Sequence, residues 1–386
     1  MTLPTTNWNY PTTMWFGNGR IKDLQQACDS LDIKKPLFVT DSGLAQLDFV
    51  KTAFASLTNG VFYSDVQGNP TGENVSGGVK VFEDNNCDGV IAFGGGSGID
   101  GAKAIALVAN QNLSVWEFED VGDNWAKANA DIITKIIAVP TTSGTGSEVG
   151  RASVITNTET ENKKIIFHPQ MMPSLVISDP ELTVDLPPHI TAWTGMDALT
   201  HAVEALCAPN YHPMAVGIGI EACRLVIENL PKAFKDGTDL EARGNMLVAA
   251  SMGATAFQKG LGSVHSLAHP IGAMYHKQHG LINAIILPYA LRQNKDAIGE
   301  QIAYLCRALG IQDTSVDGFI DFLLDFRKEL NIPHTLAEIE LDTSRAVEIG
   351  EKAFADPSTG SNAKPVTALD LQRLFEACVS GDMSGL

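Results

Sequence analysis

The sequence of 386 residues predicts an α/β domain with a parallel sheet over residues 1–187, followed by an all-α domain over residues 188–386. Three observations support this prediction. Short apolar runs alternate with segments of helical spacing in the first part, which is typical of a parallel α/β sheet. Two consecutive prolines, Pro187 and Pro188, then interrupt the pattern. Beyond them, apolar residues recur at three- and four-residue spacing, which is typical of amphipathic helices.

The strands of the first domain are predicted from five runs rich in Val, Ile, Leu and Phe. Apolar runs without alternation are typical of parallel strands that are buried on both faces. A helix is predicted over residues 100–109, between two of these runs. The predicted strands are residues 36–40, 60–63, 89–93, 135–139 and 174–178.

The helices of the second domain are predicted from apolar residues at helical spacing, interrupted by Gly or Pro. The sequence contains no repeat of fixed period and no low-complexity tract. The predicted helices are residues 192–206, 215–229, 240–257, 298–309 and 316–330.

The charge balance argues against nucleic acid and membrane partners. The 27 Lys and Arg against 45 Asp and Glu give a formal net charge of −18, whereas nucleic acids and anionic membranes require clustered basic residues. No run approaches the roughly 18 apolar residues of a transmembrane helix. The first ten residues lack the basic and apolar regions of a secretory signal. Six cysteines without a CxxC pair are expected to be reduced and mostly buried, which favours a cytoplasmic location.

A glycine-rich turn follows the third predicted strand and precedes the predicted helix. Gly96, Gly98 and Gly101 satisfy the pattern GxGxxG. Glycines let a ligand approach the backbone, and the N-terminus of a helix favours a phosphate. Because strand, turn and helix follow in the order that a dinucleotide requires, the first domain is predicted to be a Rossmann-like nucleotide-binding domain. A tight structural turn without a ligand is the alternative.

A carboxylate is expected to bind the ribose hydroxyls of the nucleotide. In the usual fingerprint it lies about 20 residues after the glycines, where Glu117 and Glu119 are candidates. We favour Asp41, because it ends the first predicted strand at the carboxyl edge of the sheet, where ligands bind. A carboxylate there would repel the phosphate of NADP, so the predicted cofactor is NAD. A helix N-cap or a turn is the alternative role for Asp41.

A second polar turn, residues 140–148, follows the fourth predicted strand. Its hydroxyl groups and glycines at a strand end suit contacts to a pyrophosphate or a ribose. A solvent-exposed Ser/Thr loop is the alternative, although such a loop would not need so many small residues in one run.

Aspartate and histidine residues predict a metal site in the second domain. Asp197 and His201 are four residues apart, as are His265 and His269, so each pair shares a face if the segment is helical. Together with His279, the residues Asp197, His201 and His265 would supply three imidazoles and one carboxylate to a divalent ion. This set suits Fe²⁺, Zn²⁺, Mn²⁺ or Co²⁺ alike. Histidines without a metal are the alternative.

Taken together, these residues resemble the iron-containing (group III) alcohol dehydrogenases, within the dehydroquinate synthase-like fold. The similarity covers nearly the whole chain. The runs that match the family pattern are residues 94–103, 140–149, 179–183, 195–204 and 265–280. The resemblance implies one divalent metal, Fe²⁺ or Zn²⁺, on the four positions just named. It also implies that His269 stays unligated and close to the nicotinamide, and that the protein is a homodimer.

The resemblance further implies nucleotide contacts from Asp41, Asn69, Gly96, Ser97, Thr141, Thr142, Lys163 and Leu182. Gly95, Asp100 and Thr145, which lie in the two turns, complete the predicted set. Lys164 is the alternative to Lys163. Arg151 stands close to a position where the family usually has threonine. It would either favour an anionic substrate or pair with a surface acid.

The expected function is hydride transfer between a primary alcohol, or a hydroxy acid, and nicotinamide in a cleft between the domains, with aldehyde reduction as the reverse. The metal would lower the pKa of the alcohol, and His269 would relay the proton. A stacking or hydrogen-bonding contact to the cofactor is the alternative role for His269. One alternative is a metal- and NAD-dependent lyase or cyclase of the dehydroquinate synthase type. Such enzymes need several Lys and Arg to bind a phosphorylated acid, and the basic residues of 195–280 are dispersed. The other alternative is a protein that senses NAD or metal without turnover.

Overall fold

The computed structural model describes residues 6–160 except 9 and 10, and residues 162–386. The chain forms two compact units: Met1–Asp185 with Thr238–Leu247, and Leu186–Gly237 with Val248–Leu386. The absence of a secretory signal was expected from residues 1–10, most of which lie outside the described part. In that part, no helix combines the length and apolar character needed to span a bilayer.

A seven-stranded sheet forms the centre of the first unit, and a two-stranded hairpin lies outside it. The strands are β1 (Thr6–Trp8), β2 (Thr13–Phe16), β3 (Pro36–Asp41), β4 (Val61–Val66), β5 (Gly89–Gly94), β6 (Lys135–Pro140), β7 (Ala152–Asn157), β8 (Asn162–Phe167) and β9 (Leu175–Ser178). The order in the large sheet is β1-β2-β9-β6-β5-β3-β4, and all pairs are parallel except β1 with β2. The five predicted strands and their parallel arrangement are therefore confirmed, whereas β1, β2 and the hairpin β7–β8 were not predicted.

The order of the strands around β3 forms a topological switch point. The two neighbours of β3 are β4 and β5, so the chain turns to opposite sides of β3 in succession. Open parallel sheets bind ligands at such a switch point, beyond the carboxyl ends of the strands. Asp41 ends β3 and Gly94 ends β5. The fold therefore places both at the position where a nucleotide is expected.

The helices of the first unit flank this sheet. They are α1 (Leu24–Ser30), α2 (Asp48–Ala55), α3 (Gly72–Asp84) and α4 (Gly96–Val108). The helix predicted from residue 100 begins four residues earlier, at Gly96. The prediction of its start was wrong because the glycines were expected to form a turn before the helix. Instead, Gly96, Ser97 and Gly98 form its first turn.

From residue 188 onward the chain is helical. The helices are α5 (Pro188–Cys207), α6 (Pro213–Lys235), α7 (Leu240–Ala256), α8 (Ser263–Tyr275), α9 (His279–Gln293), α10 (Lys295–Leu309), α11 (Val316–Glu329), α12 (Ala346–Phe354) and α13 (Ala368–Ser380). The five predicted helices correspond to α5, α6, α7, α10 and α11. Helices α8, α9, α12 and α13 were not predicted.

A buried arginine stabilises α9 at an internal proline. Pro288 lacks the N–H group that would bond to the carbonyl of Ala284, four residues earlier. Arg327 on α11 supplies the missing donor, because its Nη1 lies 3.1 Å from that carbonyl oxygen and 2.9 Å from the carbonyl oxygen of Ile285. Its Nη2 lies 2.7 Å from Nδ1 of His334. Helix α9 therefore continues through the proline.

Candidate nucleotide and metal sites

The end of β3 holds Asp41 next to the glycine turn. Its Oδ1 accepts hydrogen bonds from the backbone N–H groups of Gly43 and Leu44, both at 2.9 Å. A Cβ placed on Gly94 would lie 4.0 Å from Oδ2 of Asp41. The backbone bonds fix the carboxylate, while its second oxygen lies beside the turn. Asp41 thus also has the turn-stabilising role that was the alternative to ribose binding.

The two polar turns predicted from the sequence face each other. The N–H of Thr141 donates to the carbonyl of Gly94 at 3.0 Å. A Cβ on Gly96 would come within 2.5 Å of Thr145 Cγ2, so only glycine allows this approach. Ser97 Oγ donates to the carbonyl of Gly68 at 2.6 Å. This bond ties the loop that contains Asn69 to the same turn.

A buried network below the turns involves the predicted contact Asp100. Its Oδ1 accepts from Ser147 Oγ at 2.5 Å, and its Oδ2 accepts from the N–H of Val154 at 2.9 Å. Lys103, whose side chain is fully buried, donates to the carbonyl and the hydroxyl of Ser147, both at 2.9 Å. Burial lowers the pKa of Lys103, and the charges of Asp100 and Glu148 oppose this. Asp100 therefore joins α4 to the second turn, and its nucleotide contact stays a prediction.

The two alternative ribose ligands are engaged elsewhere. Glu117 forms an ion pair with Lys127 at 2.8 Å, and Glu119 forms one with Lys164 at 2.7 Å. Successive residues of a strand face opposite sides, so Lys163 points away from the face on which Lys164 meets Glu119. These contacts favour Asp41 over both glutamates and Lys163 over Lys164.

Three other residues considered in the sequence lie in or next to strands and short turns: Lys163, Leu182 and Arg151. Lys163 pairs across the hairpin with Thr156, whose N–H donates to the carbonyl of Pro70 at 2.7 Å, next to Asn69. Leu182 is buried in the short turn after β9. The guanidinium of Arg151 lies 5.9 Å from the centre of the Phe167 ring. This contact of Arg151 is with an aromatic ring, whereas one of the two expectations was an ion pair with a surface acid.

The predicted metal ligands converge around one carboxylate oxygen in the second unit. Asp197 Oδ1 lies 3.8 Å from Nε2 of His201, 3.8 Å from Nε2 of His265 and 3.7 Å from Nε2 of His279. The ligand atoms of Asp197, His265 and His279 all lie within 4.8 Å of one another. The His201 ring stacks on the His265 ring, with centroids 4.7 Å apart. Three residues thus form a compact set, and His201 adjoins it.

Three different helices bring these side chains together. Asp197 and His201 lie one turn apart on α5, His265 lies on α8, and His279 is the first residue of α9. A Cβ on Gly280 would lie 2.3 Å from the carbonyl oxygen of Trp193. The glycine therefore lets the start of α9 approach α5 closely, which brings His279 next to Asp197.

An amide that sequence reasoning missed lies at the centre of the cluster. Asn283 is fully buried on α9, and its Nδ2 lies 2.7 Å from Asp197 Oδ1, 3.0 Å from His279 Nε2 and 3.2 Å from His265 Nε2. Two amide hydrogens cannot satisfy three acceptors fully. A divalent cation can accept electron pairs from all of them, and imidazole and carboxylate suit Fe²⁺ and Zn²⁺. The residues present therefore fit the metal that the resemblance implies.

The electrostatics of the cluster also favour a positive charge there. Burial alone would lower the pKa of His265, but the neighbouring carboxylates of Asp197 and Glu204 raise it to about 9. Burial would likewise raise the pKa of Asp197, but the charges of His201, His279 and His265 hold it far below its usual value. Buried acids thus stabilise positive charge on their partners.

His269 lies beside the cluster and contacts a buried acid. Its Nδ1 lies 2.7 Å from Asp356 Oδ2, and its ring stacks on that of His279, with centroids 5.4 Å apart. Burial would raise the pKa of Asp356, but the charge of His269 and hydrogen bonds from Ser358 lower it. His269 thus lies beside the proposed ligand set, and its role outside that set stays a prediction.

Three residues of the site were missed, and helical spacing could have revealed two of them. Glu204 lies seven residues after Asp197 on α5, and Asn283 lies four residues after His279 on α9. Both spacings place the side chains on the face that carries the ligand. Asp356 lies far along the chain in an irregular segment, where the sequence offers no comparable signal.

Sequence profiles of one family match both parts of the chain. The profile described as iron-containing alcohol dehydrogenase matches residues 11–180, and the profile of the C-terminal part of Fe-containing alcohol dehydrogenases matches residues 191–379.

Individual relatives agree with these profiles. A 4-hydroxybutyrate dehydrogenase of Cupriavidus necator is 34% identical over 95% of this chain and 98% of its own length. The crystal structure of a 1,3-propanediol oxidoreductase has a TM-score of 0.90 at 31% identity, covering 98% of this chain and 100% of that one. The NAD⁺ complex of a sulfoacetaldehyde reductase from Bifidobacterium kashiwanohense has a TM-score of 0.87 at 28% identity, covering 99% and 100%.

Proposed function

The chain belongs to the iron-containing alcohol dehydrogenase family, and we propose that its alcohol dehydrogenase activity transfers a hydride between NAD and a primary alcohol or hydroxy acid, with one Fe²⁺ or Zn²⁺ ion. The observation that carries the proposal is the convergence of Asp197 with three imidazoles at 3.7–3.8 Å. Asp197, His201, His265 and His279 would hold the ion. A bound divalent ion supplies Lewis acidity, which lowers the pKa of an alcohol.

His269 is the proposed proton relay. An alcohol must lose its hydroxyl proton as well as a hydride, and an imidazole can accept and pass on a proton. Asp356 supports this role because its carboxylate holds Nδ1 of His269 at 2.7 Å. A proton on that nitrogen leaves Nε2 with the lone pair that accepts a proton. The side chain of His269 is 16% exposed, which gives the proton a route to solvent.

The two facing turns of the first unit are the proposed site of NAD. The N-terminus of α4, with Gly95, Gly96 and Ser97, would bind the phosphates through backbone N–H groups and the helix dipole. Asp41 Oδ2 would accept hydrogen bonds from the ribose hydroxyls and would repel the phosphate of NADP. Asn69, Thr141, Thr142, Thr145, Lys163 and Leu182 complete the proposed contacts.

The proposed substrates are short alcohols, diols and hydroxy acids, or the corresponding aldehydes. Support comes from the names of relatives, which include dehydrogenases of 4-hydroxybutyrate and 1,3-propanediol. We propose a homodimer, in keeping with the family resemblance. The six cysteines are free and buried, which supports the proposed cytoplasmic location.

A substrate screen tests this function. Purified protein reconstituted with Fe²⁺ or Zn²⁺ is supplied with NAD or NADP and a series of alcohols, and NADH or NADPH formation is followed by absorbance. We expect turnover of at least one short alcohol or hydroxy acid, and a preference for NAD. A product formed without net NADH would instead indicate the lyase alternative. NAD binding without turnover of any alcohol or aldehyde would contradict the proposal.

A further inference from the structure

A glutamate next to the aspartate–histidine cluster joins helices α5 and α8 of the second unit. Glu204 lies on α5, and its exposure is 8%. Its Oε1 accepts a hydrogen bond from the N–H of Val264 at 2.9 Å, and its Oε2 lies 2.5 Å from Nδ1 of His265. Both carboxylate oxygens are therefore used, each by one nitrogen of α8.

The position of Glu204 favours a negative charge. Val264 is the second residue of α8, a helix of 13 residues. The N-cap residue of this helix is Gly262, which has no side chain to accept a hydrogen bond from the first turn. The unpaired N–H groups at a helix start attract an acceptor, and the helix dipole stabilises an anion there. Glu204 thus caps the N–H of Val264, next to Asn362, whose Oδ1 accepts from the N–H of Ser263 at 3.1 Å, while it contacts the imidazole of His265.

The geometry points to a further role: we propose that Glu204 is a positioning residue that holds the proton of His265 on Nδ1 and so leaves Nε2 free to bind the metal. The inference rests on the metal site proposed above. A carboxylate offers only acceptors, so the nitrogen beside Oε2 must be the one that carries hydrogen. Nε2 then directs its lone pair at Nδ2 of Asn283, 3.2 Å away, and lies 3.8 Å from Oδ1 of Asp197, another proposed ligand. A carboxylate behind a metal-binding histidine fixes its ring and its tautomer in this way.

An isosteric substitution separates this role from simple packing. In Glu204→Gln, one oxygen becomes an NH₂ group, although shape and volume are kept. If the NH₂ group faces His265, Nδ1 must accept and the proton moves to Nε2, which can then no longer bind metal. If the NH₂ group faces Val264, two donors oppose each other in a buried place, which is costly. The first arrangement removes the lone pair that binds the metal, and the second destabilises the start of α8, which carries His265, so both should weaken metal binding.

The experiment titrates Co²⁺ into metal-free protein and follows the absorption of the bound ion. The matched control is Asp356→Asn, the same change from carboxylate to amide beside Nδ1 of a histidine that is not a proposed ligand. We expect Co²⁺ affinity about 10- to 100-fold lower in Glu204→Gln than in the wild type, and unchanged in Asp356→Asn. Equal affinity in Glu204→Gln and the wild type would overturn the role of Glu204 alone. No Co²⁺ binding by the wild type would overturn the metal site itself.

A second measurement needs no variant at Glu204. Nitrogen-15 NMR of histidine-labelled, zinc-loaded wild-type protein distinguishes the two ring nitrogens, and a His265→Gln protein identifies the signal. We expect hydrogen on Nδ1 of His265 and none on Nε2. Hydrogen absent from Nδ1 in the zinc form would overturn the proposal, whatever the folding of Glu204→Gln. Thermal unfolding of the metal-free variants shows whether they are folded.

Discussion

The glycine turns of the first unit and the histidine cluster of the second unit use different parts of the polypeptide. In the first unit, backbone N–H groups, glycines and hydroxyls gather at the ends of β3, β5 and β6. In the second, three imidazoles meet around the carboxylate oxygen Oδ1 of Asp197. The first region depends on the close approach of its two turns, because a Cβ on Gly96 would collide with Thr145. The second depends on charge and on the direction of each lone pair.

The largest expected effect removes a ligand from the cluster. In His265→Ala, kcat should fall by at least about a thousandfold, because several kcal/mol of charge stabilisation are lost. NAD affinity, measured by fluorescence titration, should stay within about twofold of the wild-type value, because His265 lies in the other unit. Turnover that survives this change would contradict the proposed roles of the two regions, since the cluster would then not carry the chemistry.

A steric change at the glycine turn should act on the cofactor instead. In Gly96→Ala, the new Cβ would lie 2.5 Å from Thr145 Cγ2. Overpacking of about 1–3 kcal/mol should raise KM for NAD roughly 10- to 100-fold, with metal content unchanged.

The matched control for this steric change is Gly98→Ala. Its new Cβ would lie 3.4 Å from the carbonyl oxygen of Phe93 and contacts no side chain of the second turn. KM for NAD in Gly98→Ala should stay close to the wild-type value. Equal effects of the two substitutions would mean that space at Thr145 is not what matters.

Asp41 is the exception in the first region, because it contributes a charge. In Asp41→Asn, the amide oxygen can still accept from Gly43 and Leu44, whereas the negative charge is lost. We expect KM for NAD to rise about tenfold, and the ratio of kcat/KM for NAD over NADP to fall. Steady-state kinetics with both cofactors measure this. An unchanged ratio would show that another group excludes the phosphate of NADP.

The smallest expected effect concerns stability away from both sites. Burial, together with the charge of Arg327, lowers the pKa of His334. His334 therefore binds a proton more readily in the unfolded chain than in the folded one. The free energy of unfolding should decrease as the pH falls through about 6.5, the usual pKa of histidine. The melting temperature should decline in that window, and less steeply in His334→Asn. Identical slopes would remove His334 as the cause.

The elements that could be predicted from the sequence are those with a clear apolar pattern and the polar turns at strand ends. Residues 36–40 and 89–93 are continuous apolar runs, so β3 and β5 were found, and with them the placement of Asp41 and the glycine turn. The strand β8, with the sequence NKKIIF, begins with three polar residues and carries no such signal. Helices α8 and α9 contain Pro270 and Pro288, which normally end a helix.

The helix α9 was hidden because its stability depends on a distant residue. Arg327 replaces the hydrogen bond that Pro288 cannot form, and nothing near Pro288 in the sequence reveals this. The proposed metal ligands could be predicted from the sequence because Asp197 and His201 share a helix face. Asp356 and Asn283 contribute through contacts that only the folded chain brings about.

The most direct test of the central claim is a crystal of the protein soaked with Zn²⁺ and measured at the zinc absorption edge. We expect one anomalous peak in the second unit, within bonding distance of Asp197 Oδ1 and the Nε2 atoms of His201, His265 and His279. A peak elsewhere, or Asn283 Nδ2 still in contact with these atoms and no zinc among them, would contradict it.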